Sequence, residues 1–111
     1  MNGFYAGYFA GTAGNGIGMF ILNDGVLTGA DALGALFDGS YVIQVDGQLL
    51  GKVTVTIPPN VALVQGVVVG SNGMKYDVDV STKVDQIEKT FLRLETPVGP
   101  VNVALKKIRG L

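Results

Sequence analysis

Six Asn-Gly or Asp-Gly pairs punctuate this chain of 111 residues, at Asn2-Gly3, Asn15-Gly16, Asp24-Gly25, Asp38-Gly39, Asp46-Gly47 and Asn72-Gly73. Both members of such a pair tolerate positive φ, as tight hairpin turns require, so each is a turn signal when it lies between runs of β-branched or aromatic residues. The runs around these pairs predict strands over 3–10, 17–23, 26–29, 40–46, 49–57, 61–69, 74–82, 90–96 and 101–108, eight or nine in all. Pro58-Pro59-Asn60 and Pro97-Val98-Gly99-Pro100 mark two further turns, because proline cannot donate into a central ladder. Helical periodicity is confined to 30–37 and 84–89, a couple of turns at most in each.

The length fits one domain over residues 1–111. Several strands alternate cleanly. Val53, Val55 and Ile57 oppose Lys52, Thr54 and Thr56, while Tyr76, Val78 and Val80 oppose Lys75, Asp77 and Asp79, so one face of this wall is wet. Residues 4–9, 17–22 and 61–64, the last followed by 67–69, are apolar on both faces and need cover on the second. The expected fold is all-β: a single antiparallel up-and-down barrel of about eight strands, with at most one or two short helical turns. A two-sheet sandwich buries the same patterns and is the alternative.

Composition removes much chemistry. With no Cys, His or Trp, the chain has no disulfide, thiolate nucleophile, imidazole base or Cys/His zinc site. Gly47-Gln48-Leu49-Leu50-Gly51-Lys52-Val53 resembles a phosphate loop but has one residue too few between its glycines, and Val53 where a hydroxyl is needed. Asp77 and Asp79 share a strand face with Lys75 and read as a solvated surface. No catalytic residue, metal ligand or cofactor-binding residue is assigned, and an enzyme is not expected. Residues 1–51 hold four acids and no base; residues 52–111 hold eight bases and five acids. The largest basic group is Lys106, Lys107 and Arg109, which argues against nucleic acid as a partner. The first 23 residues are uncharged, yet glycine, threonine and asparagine break the stretch after Ala10, so neither a signal peptide nor a membrane span is expected. A cytoplasmic location is the expectation, with which the lack of cysteine agrees.

The surplus of apolar faces predicts a homodimer or other protein-binding surface, with Phe4, Tyr5, Phe9, Met19, Phe20, Leu22, Val67 and Val69 as its candidates. Tyr8, Tyr41, Ile43 and Tyr76 are candidate contacts for a small apolar ligand inside the barrel. The tyrosines fit equally well as core residues whose hydroxyls are satisfied locally.

The N-terminal third carries a further pattern: Asn2-Gly3-Phe4-Tyr5, Phe9, Gly14, Gly16-Ile17-Gly18, Phe20-Ile21-Leu22-Asn23-Asp24-Gly25, Gly29-Ala30-Asp31 and Gly39-Ser40-Tyr41. In this order it resembles the GrlR-like family, whose members include negative regulators of type III secretion in enteric pathogens. The resemblance implies a lipocalin-like or calycin-like barrel from a bacterial source that dimerises and acts by binding, as the founding regulator does in sequestering a transcriptional activator. In that regulator a run of alternating Glu and Asp makes the contact. Here the corresponding residues are Tyr41-Val42-Ile43-Gln44-Val45-Asp46, with one acid, so the activator site does not carry over. The fold can be inherited without the partner.

Overall fold

The computed structural model describes residues 1–111. It contains β1 (Gly3–Gly11), β2 (Gly14–Asn23), β3 (Val26–Asp31), β4 (Leu36–Ile43), β5 (Gln48–Ile57), β6 (Met74–Lys83), β7 (Leu92–Thr96) and β8 (Gly99–Arg109), with one 3-10 turn at Val84–Gln86. Every pairing is antiparallel, and the strands form one sheet in the order β6-β5-β4-β3-β2-β1-β8-β7. The rolled sheet is a nearly closed barrel, since β6 and β7 come alongside one another at the seam without a ladder between them. A single continuous sheet excludes the two-sheet sandwich. No helix is long and apolar enough to cross a membrane.

Three of the six pairs make turns. Asp24 and Gly25, at φ 49° and 85°, close the two-residue β2–β3 hairpin between paired Asn23 and Val26, a conformation in which glycine escapes the Cβ penalty. Asp46-Gly47 and Asn72-Gly73 turn the chain before β5 and β6. The other three pairs fall within or at the start of strands. At Gly39 in β4, a Cβ would strike the Lys52 carbonyl and Val53 of β5, so the residue there permits close approach of two strands.

Three segments depart from the sequence expectation. Residues 61–69 are not a strand but a loop with one isolated bridge, Ala62 to Val68, reversed at Gly66 with φ 98°. Pro58 and Pro59 remove two ladder donors just before this segment, and Val69 is buried while Val61 and Leu63 pack against the core. Residues 30–37 are the end of β3, a turn and the start of β4. The Asp31 carboxylate accepts the N–H groups of Leu33 and Ala35 at 3.0 and 2.9 Å, a local arrangement that competes with helix formation. Residues 84–89 supply only the 3-10 turn.

Cross-strand register sets the inside. Tyr5 opposes Phe20 and Gly7 opposes Gly18 on the inner face, while Ala6 opposes Met19 and Tyr8 opposes Ile17 on the outer one. Two buried clusters result, one around Ala35, Val55, Ile57, Val69 and Val78, the other around Tyr5, Phe20 and Leu22. Outside, β5 and β6 are polar: Lys52 lies 4.0 Å from Asp79, and Thr54 donates to Asp77 at 2.7 Å. Arg93 and Glu95 pair at 3.0 Å on β7. Both strands at the seam therefore carry charge, which discourages edge-to-edge pairing with another chain.

Candidate binding site inside the barrel

Side chains do not fill the barrel. They leave a cavity of about 530 Å³ lined by 33 residues, 26 of them hydrophobic. Its waist is aromatic, with the Phe20 ring 5.1 Å from Phe37 and 6.0 Å from Phe9, and Phe9 stacked on Phe37 at 5.9 Å between centroids. Glycine makes this waist possible. A Cβ on Gly7 would fall onto the Phe20 ring and one on Gly29 would come within 2.6 Å of it, so Phe20 lies across bare backbone on both neighbouring strands.

The two ends of the barrel differ. At the end where β1 turns into β2, residues 58–73 fold over the mouth, held by Ala13 N–H donating to the Val64 carbonyl at 2.8 Å and by the Thr12 hydroxyl donating to the Gln65 carbonyl at 3.1 Å. Leu63, Val64 and Gln65 of this cap line the cavity, together with Asp31, Tyr76 and Thr96. Burial pushes the Tyr76 phenol above its ordinary pKa; the polar side chains of Gln65 and Thr96 beside it pull it down, and the Asp31 charge pushes it up. At the other end the Tyr5 hydroxyl donates to the Met1 carbonyl at 2.7 Å. Burial raises the Tyr5 phenol's pKa first, and the charge of Glu88 and the neighbouring Tyr41 add to the rise.

No protein-family model, curated protein or solved structure matches this chain.

Placement of the candidate residues corrects part of the sequence reading. Tyr5, Phe9, Phe20 and Leu22, expected on a partner surface, line the cavity, and Val69 is buried at 1% exposure in the core. Met19 is on the outer surface, Phe4 is half-buried on the outer row of β1, and Val67 is half-buried in the cap. Of the expected interior contacts, Tyr41 and Tyr76 line the cavity. Tyr8 points outward, and Ile43 lies exposed where the inward row of β4 runs past the rim. The reason is the period of two: in a strand apolar on both faces, composition does not say which alternate set goes in, and a one-residue change of phase exchanges the sets. Sequence reasoning also missed Phe37, hidden in a helix-like stretch, and Gln65 and Thr96, which reach the site only through the cap and the β7–β8 turn. Strand alternation offered a signal for Phe37; nothing local offered one for Gln65.

The chain gathers no group of three or more His, Cys, Asp or Glu side chains. What the interior can do chemically is exclude water from an apolar molecule and offer a few hydrogen bonds at its ends.

Proposed function

We propose that this protein is a non-catalytic binding protein that holds one small apolar molecule inside its barrel. The observation that carries the reading is the 530 Å³ apolar cavity, since a barrel stabilised only by packing has no use for a hollow of that size. Ligand sites span about 300–1,000 Å³ and combine apolar walls with a few polar groups, as this interior does. Titration with the neutral fluorophore N-phenylnaphthylamine tests the reading. A saturable rise in fluorescence at one equivalent per barrel is expected. It should vanish in Val80→Phe, which points a ring into the cavity beside Gly51. Absence of saturable binding, or equal binding by a folded Val80→Phe protein, refutes it.

The outer face of β1 and β2 supports a second reading, self-association. Tyr8, Ile17 and Met19 are each 49% exposed there, and neither strand bears a charged residue. Apolar surface gathered in this way marks an interaction site. A second copy is the occupant it fits, because two uncharged faces meet across a two-fold axis with no like charges opposed. This agrees with the dimer that the GrlR-like resemblance implies. Light scattering at micromolar concentration tests it: twice the chain mass is expected. A monomer refutes the second copy and leaves the face to a heterologous partner, such as the transcriptional regulator that the resemblance suggests.

A further inference from the structure

Every cation of the chain is kept out of the cavity. Among the 33 lining residues there is no Lys or Arg, and the chain has no His. Lys107 stands two residues beyond Leu105 on the inward row of β8, exposed at the rim opposite the cap, and Met1 with its ammonium group packs at that same rim, outside the lining. The one charged group on the lining is the Asp31 carboxylate, at the capped end. One of its oxygens is already engaged by the N–H groups of Leu33 and Ala35, and its negative field reaches Tyr76. The polar lining groups at that end are otherwise neutral: Asn15, Tyr76, Gln65 and Thr96, the last with its hydroxyl proton donated to the Gly99 carbonyl so that it is left as an acceptor. Together they offer hydrogen-bond donors and acceptors without net positive charge.

Resting on the reading that the barrel holds a ligand, we infer that the ligand is an apolar molecule with a neutral hydrogen-bonding end, such as an alcohol or amide, and that Tyr76, Gln65 and Thr96 receive that end. A carboxylate anion of the fatty-acid kind does not fit. It would leave water for an apolar space with no cation to pair with and with a second carboxylate nearby, and an unpaired buried charge is the costliest group a cavity can accept. A neutral hydroxyl loses only hydrogen bonds that the phenol and the amide replace.

Displacement of N-phenylnaphthylamine by dodecanol and by dodecanoate, which share one chain length, separates the possibilities. At neutral pH dodecanol should compete at least about tenfold more strongly than dodecanoate, a difference of about 1.4 kcal/mol. The gap should close as the pH falls and the acid becomes neutral. Tyr76→Phe keeps the ring and removes the hydroxyl; with the fluorophore's own affinity measured again in the variant, dodecanol should bind about fivefold more weakly, the worth of one hydrogen bond. Equal or stronger displacement by dodecanoate overturns the inference, above all if Lys107→Ala abolishes it, because the head would then lie at the opposite rim. An unchanged dodecanol affinity in Tyr76→Phe overturns the assignment of the capped end. Failure of the fluorophore itself to bind strikes the barrel-ligand reading, and is thereby distinguished from a wrong head group.

Discussion

The wall formed by β1 and β2 and the wall formed by β5 and β6 are alike inside and unlike outside. Inward, both present apolar side chains to one cavity, Tyr5, Phe9, Phe20 and Leu22 from the first pair, Val53, Val55, Tyr76 and Val78 from the second. Outward, β5 and β6 show Lys52, Thr54, Asp77 and Asp79, whereas β1 and β2 show Ala6, Tyr8, Ile17 and Met19. A barrel needs only the inner pattern in order to fold, as the polar outside of β5 and β6 demonstrates. The apolar outside of β1 and β2 is therefore not required by the inner packing, and it is the face on which the proposed self-association rests.

The sharpest way to break this comparison is to truncate neighbours on opposite faces of one strand. Phe20→Ala should lower the unfolding free energy by about 3–5 kcal/mol, because it empties the aromatic waist, whereas Met19→Ser should change it by no more than about 0.5 kcal/mol. Denaturant unfolding of both variants checks this; equal effects would mean that the outer face is as much part of the core as the inner. The next largest effect concerns association. Met19→Lys should weaken a dimer at least about tenfold by burying an unpaired cation, while Thr54→Lys, beside Asp77 on the polar wall, should leave it unchanged. Sedimentation over a dilution series measures both.

A smaller effect probes the ends of the cavity. Tyr5 and Tyr76 have folded-state pKa values raised above the ordinary 10.0 mainly by burial. Above pH 10 the unfolded chain therefore gives up phenolic protons before the folded one does. Their contribution to stability is intact below that pH and is lost as the pH rises through the folded pKa values. Unfolding curves across that range should show the decline, and Tyr5→Phe with Tyr76→Phe should flatten it. The smallest effect belongs to the polar wall itself. Lys52→Ala removes an exposed 4.0 Å pair with Asp79 and should cost less than about 1 kcal/mol in the same denaturation assay.

Much of the fold was legible in the chain because its signals are local. The turn at Asp24-Gly25 and the alternation of β5 and β6 lie within a few residues and match the strands found. The strand expected over 61–69 failed because apolar, β-branched composition is shared by strands and by buried loops, and only contact with the barrel mouth separates them. The candidate site was less legible. Alternation in a strand with one wet face supports Tyr76 inside, and Tyr41 is a candidate as a tyrosine within a strand, but β1 and β2 offer no such contrast, and the expectation for Tyr5 and Phe9 falls on the wrong side.

The sequence by itself determined an antiparallel meander: turn residues at short intervals, period-two strands between them, and a residue set without cysteine, histidine or tryptophan. Tertiary structure alone decided that the sheet rolls until β1 meets β8, that Phe20 rather than Met19 faces inward, and that a cap carries Gln65 to Tyr76. The division has a physical reason. Turn and strand preferences are set by each residue's own backbone and its near neighbours, whereas strand phase, closure and the hollow they enclose depend on contacts between residues far apart in the chain, which no local pattern encodes.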